Sequence, residues 1–201
     1  KNQMKAPSRA WIKMYEMTEL LHLVPRNNAQ FSLLAFCEAP GNFILSINHY
    51  IHTKTTIKNF KWIGQSYNPS FREVGLKEGD YHLIGDDYGI INKYPDHWDF
   101  GPKNSGDITD PINLWYYKQK YYGNMDLITG DCGTNWGDDK ELDSKLLYAQ
   151  LLFVLFTTGK RKTFVLKYYL PYIHQSSHLS VLWMIYQCFD ELIFYKPFQN
   201  A

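Results

Sequence analysis

Apolar and polar positions fall into blocks along this chain, and the period of the blocks switches between helical and strand-like. Ser8 stands where an N-cap belongs, and Ala10, Ile12, Met14, Met17 and Leu21 follow at near-helical spacing, which predicts a first helix ending near Pro25. Phe31 to Phe36 (FSLLAF) is a short, almost continuous apolar run, the pattern of a parallel strand buried on both faces. It stops at the turn signal Ala39-Pro40-Gly41. Phe43 to Ile51 then reads as a helix and Phe60 to Gly64 as a second short strand. From Gln65 to Lys103, Gly, Pro, Asp and Asn recur too often for long regular elements, so this region is expected to be mostly loop.

The second half repeats the alternation. Pro111 opens a helix running to about Tyr121, with proline at the first helical position. Met125 to Thr129 reads as a strand, and Asp143 or Ser144 begins a helix through Leu147, Leu151 and Val154 that Gly159 terminates. Thr163 to Leu170 is a predicted strand, Ser177 to Phe189 a helix, and Glu191 to Tyr195 a final strand. Alternation of this kind predicts an α/β fold: a mainly parallel sheet with helices on both faces. Such sheets bind ligands beyond the C-terminal ends of their strands, which selects the loops 37–43, 64–67, 130–136 and 167–170. It also places Cys37 near Cys132.

Composition narrows the class. With 201 residues, 45% hydrophobic and 20% charged, the chain has the size of one ordinary domain and is not a disordered sequence. Its 21 Lys+Arg and 20 Asp+Glu leave a net charge of +1, so there is no global field for a polyanion. Locally the charge is uneven. Lys1, Lys5, Arg9 and Lys13 form one acid-free basic group, and Lys160, Arg161, Lys162 and Lys167 form another, while acids dominate from Glu73 to Asp110. The run Leu151 to Phe156 is far short of the ~20 residues of a membrane span, and no basic-then-apolar leader opens the chain, so neither membrane nor secretion is expected. Three cysteines make no disulfide framework and fit a reducing compartment. Aromatics reach 17%; most are expected to pack, and stacking on bases is the sharper alternative.

Few residues carry a chemical signal. Lys167 interrupts an apolar strand near its C-terminal end, where an ammonium is costly unless paired or functional. Asp131, at the end of the MDLIT strand, is its natural partner, and Lys13 is a second lysine among apolar neighbours. Two lysines around one carboxylate would depress one ammonium pKa, a device suited to deprotonating a hydroxyl. The turn at 37–43 is expected to present free helix N–H groups to a ligand. The sequence holds no Gly-x-Gly-x-x-Gly, Gly-x-Ser-x-Gly or Walker pattern, and His49/His52 and His174/His178 lack the companions of a zinc site, so no metal is expected.

Taken in order, several segments resemble the FtsJ-like family of Rossmann-fold RNA 2′-O-methyltransferases, and within it the mRNA cap enzymes. They are Ser8-Arg9-Ala10-Trp11-Ile12-Lys13, Cys37-Glu38-Ala39-Pro40-Gly41-Asn42-Phe43, Gly106-Asp107-Ile108-Thr109, Leu127 to Gly133, Phe164-Val165-Leu166-Lys167 and Leu192 to Pro197. The proteins most alike in character are those of large cytoplasmic DNA viruses. The resemblance implies a single methyltransferase domain over residues 1–201 with S-adenosylmethionine as donor. It implies Lys13, Asp131 and Lys167 as catalytic residues and Cys37, Glu38, Ala39, Pro40, Gly41, Asn42 and Phe43 as the cofactor loop, with Asp107 and Ile108 on the adenine side. Lys5, Arg9, Lys160 and Arg161 would bind RNA. The implied substrate is the ribose of the first transcribed nucleotide of capped viral mRNA. Viral capping or transcription proteins would be the partners, and host cytoplasm or virion the location.

Three departures accompany the resemblance. Asn42 stands where many relatives have a second glycine, and Gln65 and Ser66 stand where simpler methyltransferases carry an acid. The family's fourth catalytic residue, a glutamate, is expected on a strand beyond Ala201, so the domain is expected to be truncated at its C-terminal end. A second reading follows from this: a catalytically silent methyltransferase fold acting as an RNA-binding or scaffold protein.

Overall fold

The computed structural model describes residues 7–68, 85–133, 140–169 and 173–198. Helix α1, Arg9–Leu20, starts where Ser8 accepts a hydrogen bond from Trp11 N at 3.1 Å. Strand β1, Gln30–Phe36, leads through a turn into α2, Asn42–Lys54, which returns to β2, Asn59–Gly64. After a short helical piece α3, Ile90–Lys93, and a 3-10 turn at Pro95–His97, the chain enters α4, Pro111–Tyr121, capped by Asp110 and opened by proline. Then come β3, Leu127–Gly130, α5, Lys140–Thr157, β4, Thr163–Leu166, and α6, Ser176–Cys188.

The four strands form one all-parallel sheet in the order β2-β1-β3-β4. Alternation along β1 sends its side chains to two different cores. Phe31, Leu33 and Ala35 pack with Met14 and Met17 of α1 and Ile44, Ile47 and Ile51 of α2. Leu34 and Phe36 face the other way, against Tyr117 and Tyr121 of α4 and Phe153 and Val154 of α5. A parallel strand with helices on both faces favours apolar residues on both, which is why FSLLAF, apart from Ser32, does not alternate. The chain builds β2 on one side of β1 and then crosses to build β3 and β4 on the other. The strand order therefore switches direction between β1 and β3, and in such sheets ligands bind beyond the C-terminal strand ends at that point.

Three sequence expectations change. Helix α5 begins at Lys140, ahead of Asp143. Strand β4 ends at Leu166, so Lys167 lies just past the strand rather than within it. Residues 191–195 form no strand: extended backbone becomes a strand only against a partner ladder, and here Ile193 and Phe194 stay largely exposed. Among the described residues no helix is long and apolar enough to cross a membrane.

Candidate active site

The ends of β1 and β3 lie side by side. Phe36 pairs with Gly130 in the ladder, and Asp131 N extends it to Phe36 O at 3.2 Å. One residue past β1 and two past β3, Cys37 and Cys132 stand with Cα atoms 5.0 Å apart and are joined as a disulfide. Their predicted proximity is seen, and the register delivers both sulfurs to bonding distance. Cys188 is free and exposed.

The loop after β1 is pinned from below. Its backbone bulges at Cys37, which adopts φ 54°, so that Gln65 O accepts from Glu38 N at 2.9 Å while the Gln65 side chain accepts from Cys37 N at 3.2 Å. The same carboxamide donates to Gly106 O at 2.6 Å. Gln65, fully buried, thus ties the cofactor-loop candidate to the Gly106-Asp107 turn. In sequence, Gln65 shows only as the replacement of an acid. Asn42 also has a structural occupation: its Oδ1 accepts from Ser8 Oγ at 2.5 Å and Tyr88 OH at 2.9 Å, linking α1 and the loop before α3 to the start of α2.

Glu38 lies beneath the turn, 3% exposed, with Oε1 accepting from Phe43 N at 2.7 Å and Ile44 N at 3.1 Å. The expectation that this helix start offers free N–H groups is therefore corrected for three of them: Phe43 N and Ile44 N donate to Glu38, and Leu45 N donates to Gly41 O. Burial pushes the Glu38 carboxyl up to about 8; the bond from Ile44 N opposes this, the Asp131 charge adds to it, and the bond from Phe43 N opposes it again. At neutral pH Glu38 is thus mostly an uncharged acid.

Lys167 forms an ion pair with Asp131. Burial pulls the amine's pKa down, but the Asp131 charge and hydrogen bond, with Tyr169, outweigh it and leave the amine above the ordinary lysine value. The sequence predicts a depressed ammonium; the paired carboxylate reverses the sign. Its Nζ also sits 5.4 Å from the centre of the Tyr169 ring. Asp131, Lys167, Lys13 and Arg9 all line a cavity of about 1540 Å³ that runs beside β4, between α1 and residues 189–197. Phe43 lines it as well.

The other predicted residues are placed differently. Cys37 to Asn42, Asp107 and Ile108 are not in that cavity wall. Asp107 spends Oδ1 on the backbone and hydroxyl of Thr109, and Ile108 is buried in the core under α4. Lys160 and Arg161 line the cavity at the N-terminal end of β4, so a four-residue strand, roughly 13 Å at 3.3 Å per residue, separates them from Lys167. Neighbouring Lys162 pairs with Asp126 at 2.7 Å. Lys5, Thr134 to Trp136 and Leu170 lie outside the described residues.

Comparison with known proteins decides the family. The sequence model described as FtsJ-like methyltransferase matches residues 6–200. The chain belongs to the FtsJ-like methyltransferase family. A protein of Acanthamoeba polyphaga mimivirus named L511 is 34% identical over 197 residues, 94% of this chain and 24% of that protein. The cap-specific mRNA (nucleoside-2′-O-)-methyltransferase 2 of Pongo abelii is 31% identical over 200 residues, covering 94% of this chain and 25% of that protein. The probable methyltransferase EP424R of African swine fever virus (isolate Pig/Kenya/KEN-50/1950) is 31% identical over 208 residues, 94% of this chain and 45% of that protein. The chain therefore spans about a quarter to just under half of the length of these relatives.

Proposed function

We propose that this FtsJ-like chain is a single methyltransferase domain that transfers a methyl group from S-adenosylmethionine to a ribose 2′-hydroxyl at the capped 5′ end of mRNA. The observation that carries the reading is the Lys167–Asp131 ion pair at the ends of β4 and β3, in a cavity that Lys13 also lines. Likeness to cap-specific 2′-O-methyltransferases supplies the substrate class.

The residues present fit the donor by their chemistry. The Asp131 carboxylate is opposite in charge to a sulfonium cation, and the loop from Cys37 to Phe43 brings main chain, with few bulky side chains, to the C-terminal ends of β1 and β3. Buried Gln65 and Ser66 supply a polar floor at the end of β2. Cys37 to Phe43 would hold the donor, with Asp107 and the Ile108 backbone on its adenine side. Bound S-adenosylmethionine supplies an electrophilic methyl group on sulfur.

Lys167 as an ammonium donates a hydrogen bond to the ribose oxygen and turns a lone pair of that oxygen toward the methyl. Acting as base requires that one of its protons first shift to Asp131; the pair then works as a unit, and the neutral amine takes the hydroxyl proton. Keeping Glu38 protonated avoids a second negative charge interacting with Asp131. Arg9 and Lys13 meet phosphates at one end of the groove and Lys160 and Arg161 at the other, making affinity fall with salt.

The test is transfer of labelled methyl to capped RNA, with ribose mapping. Wild-type transfer that falls about 10²- to 10⁴-fold in Lys167→Ala, with donor binding retained, is the expected result. Donor binding without transfer to any capped RNA refutes the reading. The sequence-based expectation places the methyl on the first transcribed nucleotide, and RNA already methylated there tests it: continued transfer to that RNA moves the target to a later ribose.

A further inference from the structure

The ladder between β3 and β4 is interrupted where the chemistry sits. Leu127 to Gly130 pair in register with Thr163 to Leu166, so Asp131 and Lys167 would form the next pair. In a parallel ladder that pair has two bonds: Lys167 N to Gly130 O, and Cys132 N to Lys167 O. The first is present at 2.9 Å. The second is replaced by a side chain. Gln150 Oε1 accepts from Cys132 N at 3.0 Å, and Gln150 Nε2 donates to Lys167 O at 2.8 Å.

Gln150 belongs to α5 and is fully buried, on a helix face otherwise filled by Leu147, Leu151 and Val154. An uncompensated carboxamide in such surroundings is costly, so its two bonds hold it firmly in place. Gly130 makes room for it: a Cβ at that position would stand 2.6 Å from Gln150 Oε1. The carboxamide therefore acts as a spacer that keeps both backbone groups satisfied while the strand ends part by the width of an amide.

We infer that Gln150 is a positioning residue whose carboxamide, inserted between Cys132 N and Lys167 O, sets the separation of the strand ends that carry Asp131 and Lys167. Its consequence for catalysis rests on the methyltransferase reading above, but its effect on the ion pair does not. Gln150 touches no reacting atom; it acts through the main chain of Lys167 and of Cys132, the residue that follows Asp131.

Two variants and two readouts test this. Gln150→Met keeps the length and removes both hydrogen bonds. Gln150→Glu keeps the acceptor and can replace the donor only while its carboxyl is protonated. The first readout is the titration of the Lys167 amine, followed by NMR of ¹³C-labelled lysine in the chain without RNA. Gln150→Met is expected to move it downward by about one pH unit as the pairing with Asp131 loosens. The second is methyl transfer to capped RNA at saturating donor. Gln150→Met is expected to lower kcat at least tenfold with the dissociation constant for S-adenosylmethionine within about twofold of wild type. In Gln150→Glu the rate relative to wild type should fall as pH rises, through one ionisation absent from the wild type.

A purely structural Gln150 would change the rate only through the folded fraction, which itself falls with pH in Gln150→Glu. Rates are therefore taken per folded molecule, with the folded fraction read by circular dichroism at each pH, and a structural role leaves that normalised rate at the wild-type value. If Gln150→Met does not fold, the pH profile of Gln150→Glu carries the test. A Lys167 titration unmoved by either variant, with pH-independent rates relative to wild type, overturns the proposal. A wild-type chain that transfers no methyl group, yet whose Lys167 titration shifts with Gln150→Met, supports the spacer and removes the reaction assigned above.

Discussion

Replacing Glu38 by glutamine isolates the electrostatic cost of this buried acid. The side-chain oxygen that accepts from Phe43 N and Ile44 N is retained, and only the ionisable proton is lost. An acid raised from 4.5 to about 8 binds a proton in the folded state over a pH range where the unfolded chain has released it. In that window the unfolded state binds fewer protons, so stability declines as pH rises, beginning near 4.5 and complete above about 8. At 1.36 kcal/mol per pH unit, the full window corresponds to roughly 5 kcal/mol, an upper figure because the folded state relaxes around the charge. The assay is urea unfolding of wild type and Glu38→Gln at intervals from pH 5 to pH 9. Every other titrating group is common to both proteins, so the difference reports on Glu38. The glutamine variant should gain on wild type steadily with pH and be the more stable protein by several kcal/mol at pH 9. Parallel stability curves across that range would refute the argument, and with it the claim that Glu38 is uncharged at neutral pH.

Three further outcomes are expected. Gly106→Ala should lose roughly 3 kcal/mol in urea unfolding, because Gly106 holds φ 67° and a Cβ there would overlap Ser66 O; a loss under about 0.5 kcal/mol contradicts this close approach. Asp99 accepts from Tyr121 OH at 2.6 Å and Lys120 Nζ at 2.8 Å; burial raises its pKa, but these partners together hold it below the usual carboxylate value. Its contribution is present above 3.8 and lost as pH falls through the lower folded value, so Asp99→Asn should cost about 1–3 kcal/mol at pH 7 and lack that acid loss, as acid titration by circular dichroism would show. Reducing the Cys37–Cys132 disulfide, which spans 95 positions of sequence, should destabilise the fold by about 2–4 kcal/mol; an unchanged Tm with and without reductant, in a chain whose thiols are verified as oxidised, contradicts it.

Much of the fold was legible in local patterning because the central strand and its helices follow simple rules. FSLLAF is continuous because both its faces are covered, and Ser8 and Pro111 mark helix starts through caps that act within a few residues. The site was legible in part, since residues at the ends of parallel strands converge whatever their intervening sequence. That rule brought Cys37 to Cys132 and Asp131 to Lys167. Glu191 to Tyr195 misled because β propensity describes a residue's suitability for a ladder, not the presence of a partner.

From the linear order of residues come the succession of elements, their parallel pairing and the strand ends where chemistry gathers, all of which depend on apolar periodicity and short-range capping. Packing in three dimensions set the state of each group there: that Glu38 caps a helix from within, that Lys167 is held protonated, and that Gln65 and Gln150 tie loops together from elements distant in sequence. The physical reason is that protonation and hydrogen-bond satisfaction depend on which groups meet in a water-poor interior. Those meetings are fixed by how the helices lie on the sheet, which no local pattern records.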